Sequence, residues 1–522
     1  MSGATYETLR SQWAFLRDSY WGGERYRYPT PTTLSSARVV TRIVDETGAV
    51  TSREQRYDSY LVPHPAESND NFDARVALAT YLNVVQPVVD AYAEAVTSGV
   101  SRDLGSLGAY LEDVDHRGST WGEHVEDVAR WAAVYGIVAA VADAPKAHAM
   151  RSRLDEQAAG ARPYVITVPP TAWAWIDVDD SGAVTAFAWV EEAYVDGTRD
   201  CQRVRVRELC REGWRIYEGS ISTAPGQTLS AQRDKLAADP ARATPLPAAL
   251  EGELPVEFVA YKRDTSTPYP MGLSLVGDAA AVARAIYNYL SWAQEIHRHA
   301  GFPFLALPLA STGGQMDPQT RISVGPTRAL PYDAQTGAPS YVQPSSESTR
   351  ELREHCLFLF QAALRTAGLE MAADASAQVQ SGEALRIRSR DFESRAKRFA
   401  RNMQRYEARM LRLLARLAGT TDAPTVTYAE RFTLPDPTAD LANATKLLTD
   451  MPVEIGATAK LAAVRTAVRA ALALSDGELS KVMAEVGAIF ARDAAAFEAR
   501  RAKELAADTP LEPTAPETQE PQ

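Results

Sequence analysis

The chain has 522 residues, 45% of them hydrophobic and 23% charged, enough for several cores at about 150 residues each and too apolar for a disordered protein. Its 55 Lys and Arg against 67 Asp and Glu give a net charge of -12, which excludes a uniformly basic coat for nucleic acid while leaving room for local basic patches. The three cysteines, Cys201, Cys210 and Cys356, are too scattered for a disulfide framework or paired zinc ligands, so no metal is expected and a reducing compartment is the default.

The first twenty residues are charged and amphipathic, without the apolar run of a signal peptide. Residues 1–72 read as an extended, aromatic-rich arm, with turn signals at "YPTPTT" and "HPAESNDN" around strand material between 37 and 57. From Asp73 to Ser98 the apolar spacing predicts a helix kinked by Pro87, and 121–135 predicts a second. The most apolar stretch, "WAAVYGIVAAVADAP" at 131–145, falls short of the roughly 20 residues of a membrane span and reads as buried core.

Between 162 and 262 the period switches to two. "AWAWIDV" and "AVTAFAWVEEAYV" flank the turn "DDSG", and "CQRVRVREL" and "WRIYEG" flank "CREG", which predicts an antiparallel β region. Residues 220–255 look like a Pro/Ala/Asp-rich linker, and "EFVAYKR" closes the region.

From Asp278 to His299 the helical period returns. It stops at 301–344, where seven prolines and five glycines forbid a helix and short β-prone pieces intervene. A helix resumes to Gly368, with a capping box expected at Ser348 and Glu351. The loop 369–381, "LEMAADASAQVQS", leads into a long amphipathic helix over 383–417. Beyond it a strand is expected in 425–433, helices in 438–450 and 457–505 (the last opening on Ser475 and Glu478), and a disordered Pro/Glu/Thr-rich tail at the end. The fold class is therefore α+β.

Catalytic signatures are missing. There is no phosphate-cradling GxxxxGK[ST] or GxGxxG, and "GLSLVG" at 272–277 fails as a nucleophile elbow because Val276 stands where glycine is required. His297 and His299, two apart on a helix, point to different faces and read as charges near a helix end; His116 and His124 read as surface histidines. Between Arg386 and Arg416 stand ten arginines and one lysine against three acids, a local excess of +8. Two readings stay open for Arg386, Arg388, Arg390, Arg395, Arg398 and Arg401: a solvated face that pairs with acidic segments or subunits, or contact with phosphates.

The order of these elements, with "ARWAAVYGIVAAVAD", "DAAAVARAIYNYLSWAQEIHRHAGFPFLALP" and "AGLEMAADASAQVQSGEALRIRSRDFESRAKRFARNMQRYE", resembles the portal (head-to-tail connector) proteins of tailed bacteriophages over about residues 75–505. The resemblance implies an N-terminal arm at 1–72, a wing at 73–277, stem helices at 278–300 and 345–368, and between them a clip at 301–344. It further implies a tunnel loop at 369–382, a long helix and strand at 383–435, a helical crown at 436–505 and a tail at 506–522.

It also implies a non-enzymatic virion protein, assembled in the host cytoplasm as a ring of twelve at one capsid vertex, that passes double-stranded DNA. Its partners would be the terminase large subunit, the major capsid or scaffolding protein and a head-tail adaptor, with no membrane and no cofactor. The channel side chains would be Glu370, Asp374, Ser376, Gln378, Gln380 and Ser381, a lining without cations on which phosphate finds no resting place. Leu357, Phe358, Phe360 and Leu364 would pack the stem, exposing more apolar surface than a lone hairpin buries. The alternatives are another non-catalytic adaptor or minor head protein, and a nucleic-acid-processing enzyme, for which no clustered metal-ligating acids are found.

Overall fold

The computed structural model describes residues 4–29, 41–44, 50–53, 59–64, 67–144, 162–195, 201–222, 228–300, 305–309, 329–333, 346–369, 382–420, 423–429 and 432, with 464, 482–488 and 492. It divides into a first unit, Met1–Thr433, and a second, Leu434–Gln522. In the second unit 482–488 is helical; the readings of 438–450, of the capping pair Ser475 and Glu478, of most of the crown and of the tail lie outside the described residues.

The first unit mixes helices and sheets, as an α+β reading requires. Its N-terminus departs from the expected extended arm. Ala4–Trp21 is a helix, α1, followed by the short α2, Gly23–Arg27. Trp13, Leu16 and Tyr20 recur at helical spacing and bury themselves in the main core. Arg10 is buried with them, and its Nη2 donates to the carbonyl of Trp173 at 2.7 Å. The aromatic content of this segment is core, and the turn signals "YPTPTT" and "HPAESNDN" lie beyond its two helices.

The expected helix over 73–98 is two helices, α3 at Asn69–Leu78 and α4 at Val85–Thr97. Pro87 lies in the first turn of α4, where its missing N–H costs nothing, so it starts a helix instead of kinking one. Asn83 Oδ1 accepts from the backbone N–H groups of Val85 and Gln86 at 3.1 and 3.0 Å and fixes that start. Helix α5, Trp121–Tyr135, opens on a capping box between Thr120 and Glu123. It ends at Gly136, whose φ of +88° suits glycine, and an added Cβ would stand 2.6 Å from the carbonyl of Gly272. The chain passes straight into a strand, Ile137–Asp143, buried along its whole length. That is the most apolar stretch of the sequence, and it is core.

This strand is the centre of a three-stranded antiparallel sheet, between Val256–Ala260 and Tyr164–Val168. A second sheet is the meander Trp173–Val178, Val184–Val195, Cys201–Cys210 and Gly213–Ser222, joined by hairpins at the two expected turns. The segment read as a linker is part of this fold. Ala237–Ala238 and Thr244–Pro245 pair with the last strand of the meander, and Leu229, Leu236, Leu250 and Leu254 are buried. Gln232 bonds both backbone groups of Ser222, at 2.8 and 2.9 Å, and holds the segment down. Its Pro/Ala composition hides the four leucines that dock it.

Candidate functional site: the paired helices and the long basic helix

Helix α6, Gly277–Ala300, covers the stretch expected to be helical from Asp278 to His299. Arg284 and Asn288 hold it to the carbonyl of Tyr60, and Asn288 Oδ1 accepts from the N–H of Val62 at 2.8 Å. Of the region expected to be a clip, two pieces are described, Leu305–Leu309 and Ala329–Asp333, and they pair in parallel. Helix α7, Ser346–Thr366, then returns beside α6, with His355 edge-on to Tyr289 at 5.2 Å between ring centres. It starts at Ser346, two residues before Ser348, so Ser348 and Glu351, expected to open the helix, stand inside it.

The end of α7 is as expected. Gly368 takes a φ of +78°, its N–H bonds the carbonyl of Arg365, and the N–H of Leu369 bonds the carbonyl of Leu364, each at 2.9 Å. Tyr92 donates to the carbonyl of Ala367 at 2.8 Å and its ring lies 4.5 Å from that of Phe392, so one residue of α4 seats the end of α7 and the third turn of the next helix together.

The four apolar stem residues divide. Leu364 is buried and Phe360 packs partly buried against the main core, whereas Leu357 and Phe358 are 53% and 60% exposed. Glu370, Asp374, Ser376, Gln378, Gln380 and Ser381, expected to line a channel, lie outside the described residues.

Helix α8, Gly382–Ala418, runs for 37 residues. Phe392, Ala396, Phe399, Met403, Tyr406, Met410 and Leu413 form its buried face, at the spacing the sequence predicts. One acid sits on that face. Glu407 is fully buried, takes Arg102 through Nε at 2.7 Å and Nη2 at 2.9 Å, accepts from Trp121 Nε1 at 2.8 Å, and is bonded by the Tyr428 hydroxyl. Burial and the Glu407 carboxylate push the Tyr428 phenol far up, so it remains a donor. The cluster ties α8 to α5 and to the antiparallel pair Ser101–Asp103 and Thr425–Thr427.

The structure sorts the basic residues of α8. Arg395 pairs with Asp391 at 2.8 Å and donates to the carbonyl of Thr366 at the end of α7, where a cation is favoured. Arg409 meets Glu253 and Glu257, and Arg416 meets Glu253 at 3.0 Å. These arginines are neutralised within the chain. Arg390, Lys397, Arg398, Arg401, Arg405 and Arg412 are exposed, and at 3.6 residues per turn they fall on one stripe about 33 Å long, away from the buried face. Arg398, Arg401 and Arg405 line a shallow groove of about 540 Å³ with Asn402 and Gln404. Arg386 and Arg388 lie in the helix, and their side chains are outside the described ones. The six arginines singled out from the sequence stop at Arg401 and leave out Lys397, Arg405 and Arg412, which the helical spacing of four from Arg401 to both Lys397 and Arg405, and of seven from Arg405 to Arg412, puts on the same stripe.

His124 is a correction. It was expected on the surface, but is buried in α5 with Nε2 2.8 Å from the Tyr406 hydroxyl. Burial holds its pKa down to about 4, while burial, and after it the neighbouring Glu407, pushes the Tyr406 phenol well up; the phenol therefore donates to a neutral imidazole. The folded-state value is depressed, so between pH 6.5 and about 4 the unfolded chain binds a proton that the folded chain does not. This contribution is complete above pH 6.5 and is lost as pH falls. Urea unfolding at pH 7 and pH 4.5 should show wild type losing about 2 kcal/mol more than His124→Gln. Equal losses would place the imidazole in water.

Among the described residues no group of three or more His, Cys, Asp or Glu is placed to hold a metal, and no helix is long and apolar enough to cross a membrane. Cys210 and Cys356 are buried free thiols.

No family model and no curated protein matches the chain. Among solved structures, it is similar to a chain of the virion of native gene transfer agent (GTA) particle, at a TM-score of 0.35 and 14% identity, over 77% of this chain and 89% of that one.

Proposed function

We propose that the chain is the subunit of a phage-type portal ring, a non-enzymatic conduit through which double-stranded DNA enters and leaves a capsid. The observation that carries this reading is the order of elements in the first unit. A helix leaves a mixed body, a small β pair follows, a helix returns beside the first, and after Gly368 a 37-residue helix crosses the body with Leu357 and Phe358 left exposed on the returning helix. Exposed leucine and phenylalanine on a helical pair favour a neighbouring copy as cover. On this reading the terminase large subunit, the capsid or scaffolding protein and a head-tail adaptor are the further partners, twelve copies close the ring, and the protein resides in the virion.

The loop 369–382 keeps its proposed place on the DNA path, because its composition includes Glu370 and Asp374 and no base. Converting Gln378 and Gln380 to Lys adds two phosphate-binding cations per subunit. Stability should change by no more than about 0.5 kcal/mol, as exposed substitutions do, while DNA affinity at low salt rises by orders of magnitude and sliding stalls. DNA packaged per procapsid, with the cognate motor at low and high salt, is the measurement. Equal packaging at low salt by the Lys variant and by Gln378→Glu with Gln380→Glu would remove the loop from the DNA path.

A further inference from the structure

The exposed stripe of α8 has a counterpart on the same unit. On α4 and α5, Asp90, Glu94, Glu123, Glu126 and Asp127 stand on the outer side of the helix pair, with Arg130 bridging Asp90 at 3.4 Å and also pairing with Glu126 and Asp127. Asp127 is 58% exposed and Glu126 44%. The acids outnumber the base on this surface, in helices whose other sides are buried.

The two charged surfaces cannot meet within one copy. Helix α5 packs on α8 through Trp121 and His124 against Tyr406 and Glu407. At 3.6 residues per turn, the acids of α5 lie roughly 140° around the helix from that contact, and the stripe of α8 lies on roughly the opposite side from its own. The packed helices form a slab, acidic on one outer side and basic on the other. Arg395, Arg409 and Arg416 pair with carboxylates within the chain, whereas Arg405 of the stripe donates to Asn402 and senses Glu257 only as a neighbouring charge.

We infer that the basic stripe of one copy, centred on Arg398, Arg401 and Arg405, docks on the acidic α4–α5 face of the next copy. The inference rests on the ring reading and specifies the polarity of its contact. Because the two surfaces differ, the contact is head-to-tail: each copy offers one face and accepts with the other, which propagates in one direction and closes into a ring when the rotation permits. A single exposed ion pair adds little to stability, so the contact acts through its number of charges and weakens with salt.

The test uses two charge-reversed forms of the full chain. One carries Lys397→Glu, Arg398→Glu, Arg401→Glu and Arg405→Glu, which leaves only Arg390 and Arg412 against four acids on the stripe, and has two acidic faces. The other carries Glu94→Lys, Glu126→Lys and Asp127→Lys, leaving Glu123 to cap α5 and only Asp90 and Glu123 against three lysines and Arg130, and has two basic faces. Each alone should form at least tenfold fewer rings than wild type in mass photometry at low salt, with an unchanged thermal midpoint. Mixed, they should restore rings in which the two forms alternate, because each reversed face meets its opposite; this rescue also establishes that both forms are folded. Rings undiminished in both single forms overturn the inference and leave the ring reading standing. If the arginine-reversed form keeps its rings and loses duplex DNA binding, the stripe serves phosphate and the inference is overturned. Folded single forms that fail to co-assemble overturn it as well. Wild type that stays monomeric removes both the ring reading and the inference.

Discussion

Glu407→Ala should cost the first unit about 3–5 kcal/mol, the range for removing one member of a buried ion pair. The carboxylate is the shared acceptor for Arg102, Trp121 and Tyr428. Truncation leaves a guanidinium, an indole N–H and a phenol facing a cavity, so the loss combines an uncompensated charge with unmade hydrogen bonds. Replacing the pair together, Arg102→Met with Glu407→Leu, should recover much of the loss, since well-packed apolar substitutes are often neutral beside a buried pair. Denaturant unfolding of the single and double variants separates these effects. A cost below about 1 kcal/mol for Glu407→Ala would mean that water reaches the cluster and that α8 is held by its apolar face alone.

Phe358→Asp, alone or with Leu357→Asp, should abolish ring formation and leave the thermal midpoint of the monomer within about a degree, because substitutions at exposed positions typically change stability by under about 0.5 kcal/mol. Phe360→Asp belongs to a different class: its ring packs against the main core, so it should lower the midpoint as well as the yield of rings. The sequence alone treats these neighbours as one apolar run, "CLFLFQAAL". The distinction arises because α7 turns one side to α6 and the body and the other to solvent. Rings that persist with Phe358→Asp and Leu357→Asp would show that the exposed pair is not an assembly contact.

What was legible in the sequence was what local chemistry determines. The hairpins at Asp179–Gly182 and Cys210–Gly213, the end of α7 at Gly368 and the buried face of α8 each arise from residues within one or two turns of each other. What escaped depends on partners far away in the chain. Arg10 finds its acceptor in Trp173, His124 finds Tyr406, and Glu407 finds Arg102, separations of 163, 282 and 305 residues. Glu407 did leave a trace: it falls four residues after Met403 and three before Met410, an acid on an apolar stripe, which demands a buried cation somewhere in the fold. The N-terminal helix was obscured by the prolines just beyond it, and the docked segment after the meander by its Ala and Pro content. At the candidate site the excess of arginine was plain from composition, but which arginines remain exposed depends on Glu253 and Glu257, more than 100 residues earlier in the chain.

Electron microscopy of the purified wild-type chain at low salt tests the ring reading most directly. The predicted result is closed rings with a central hole wide enough for a DNA duplex, the helical pairs α6–α7 gathered around the axis, and a mass that accounts for about twelve copies. A population of compact monomers or of isologous dimers without a hole, at concentrations where the exposed Leu357 and Phe358 should be covered, would contradict it.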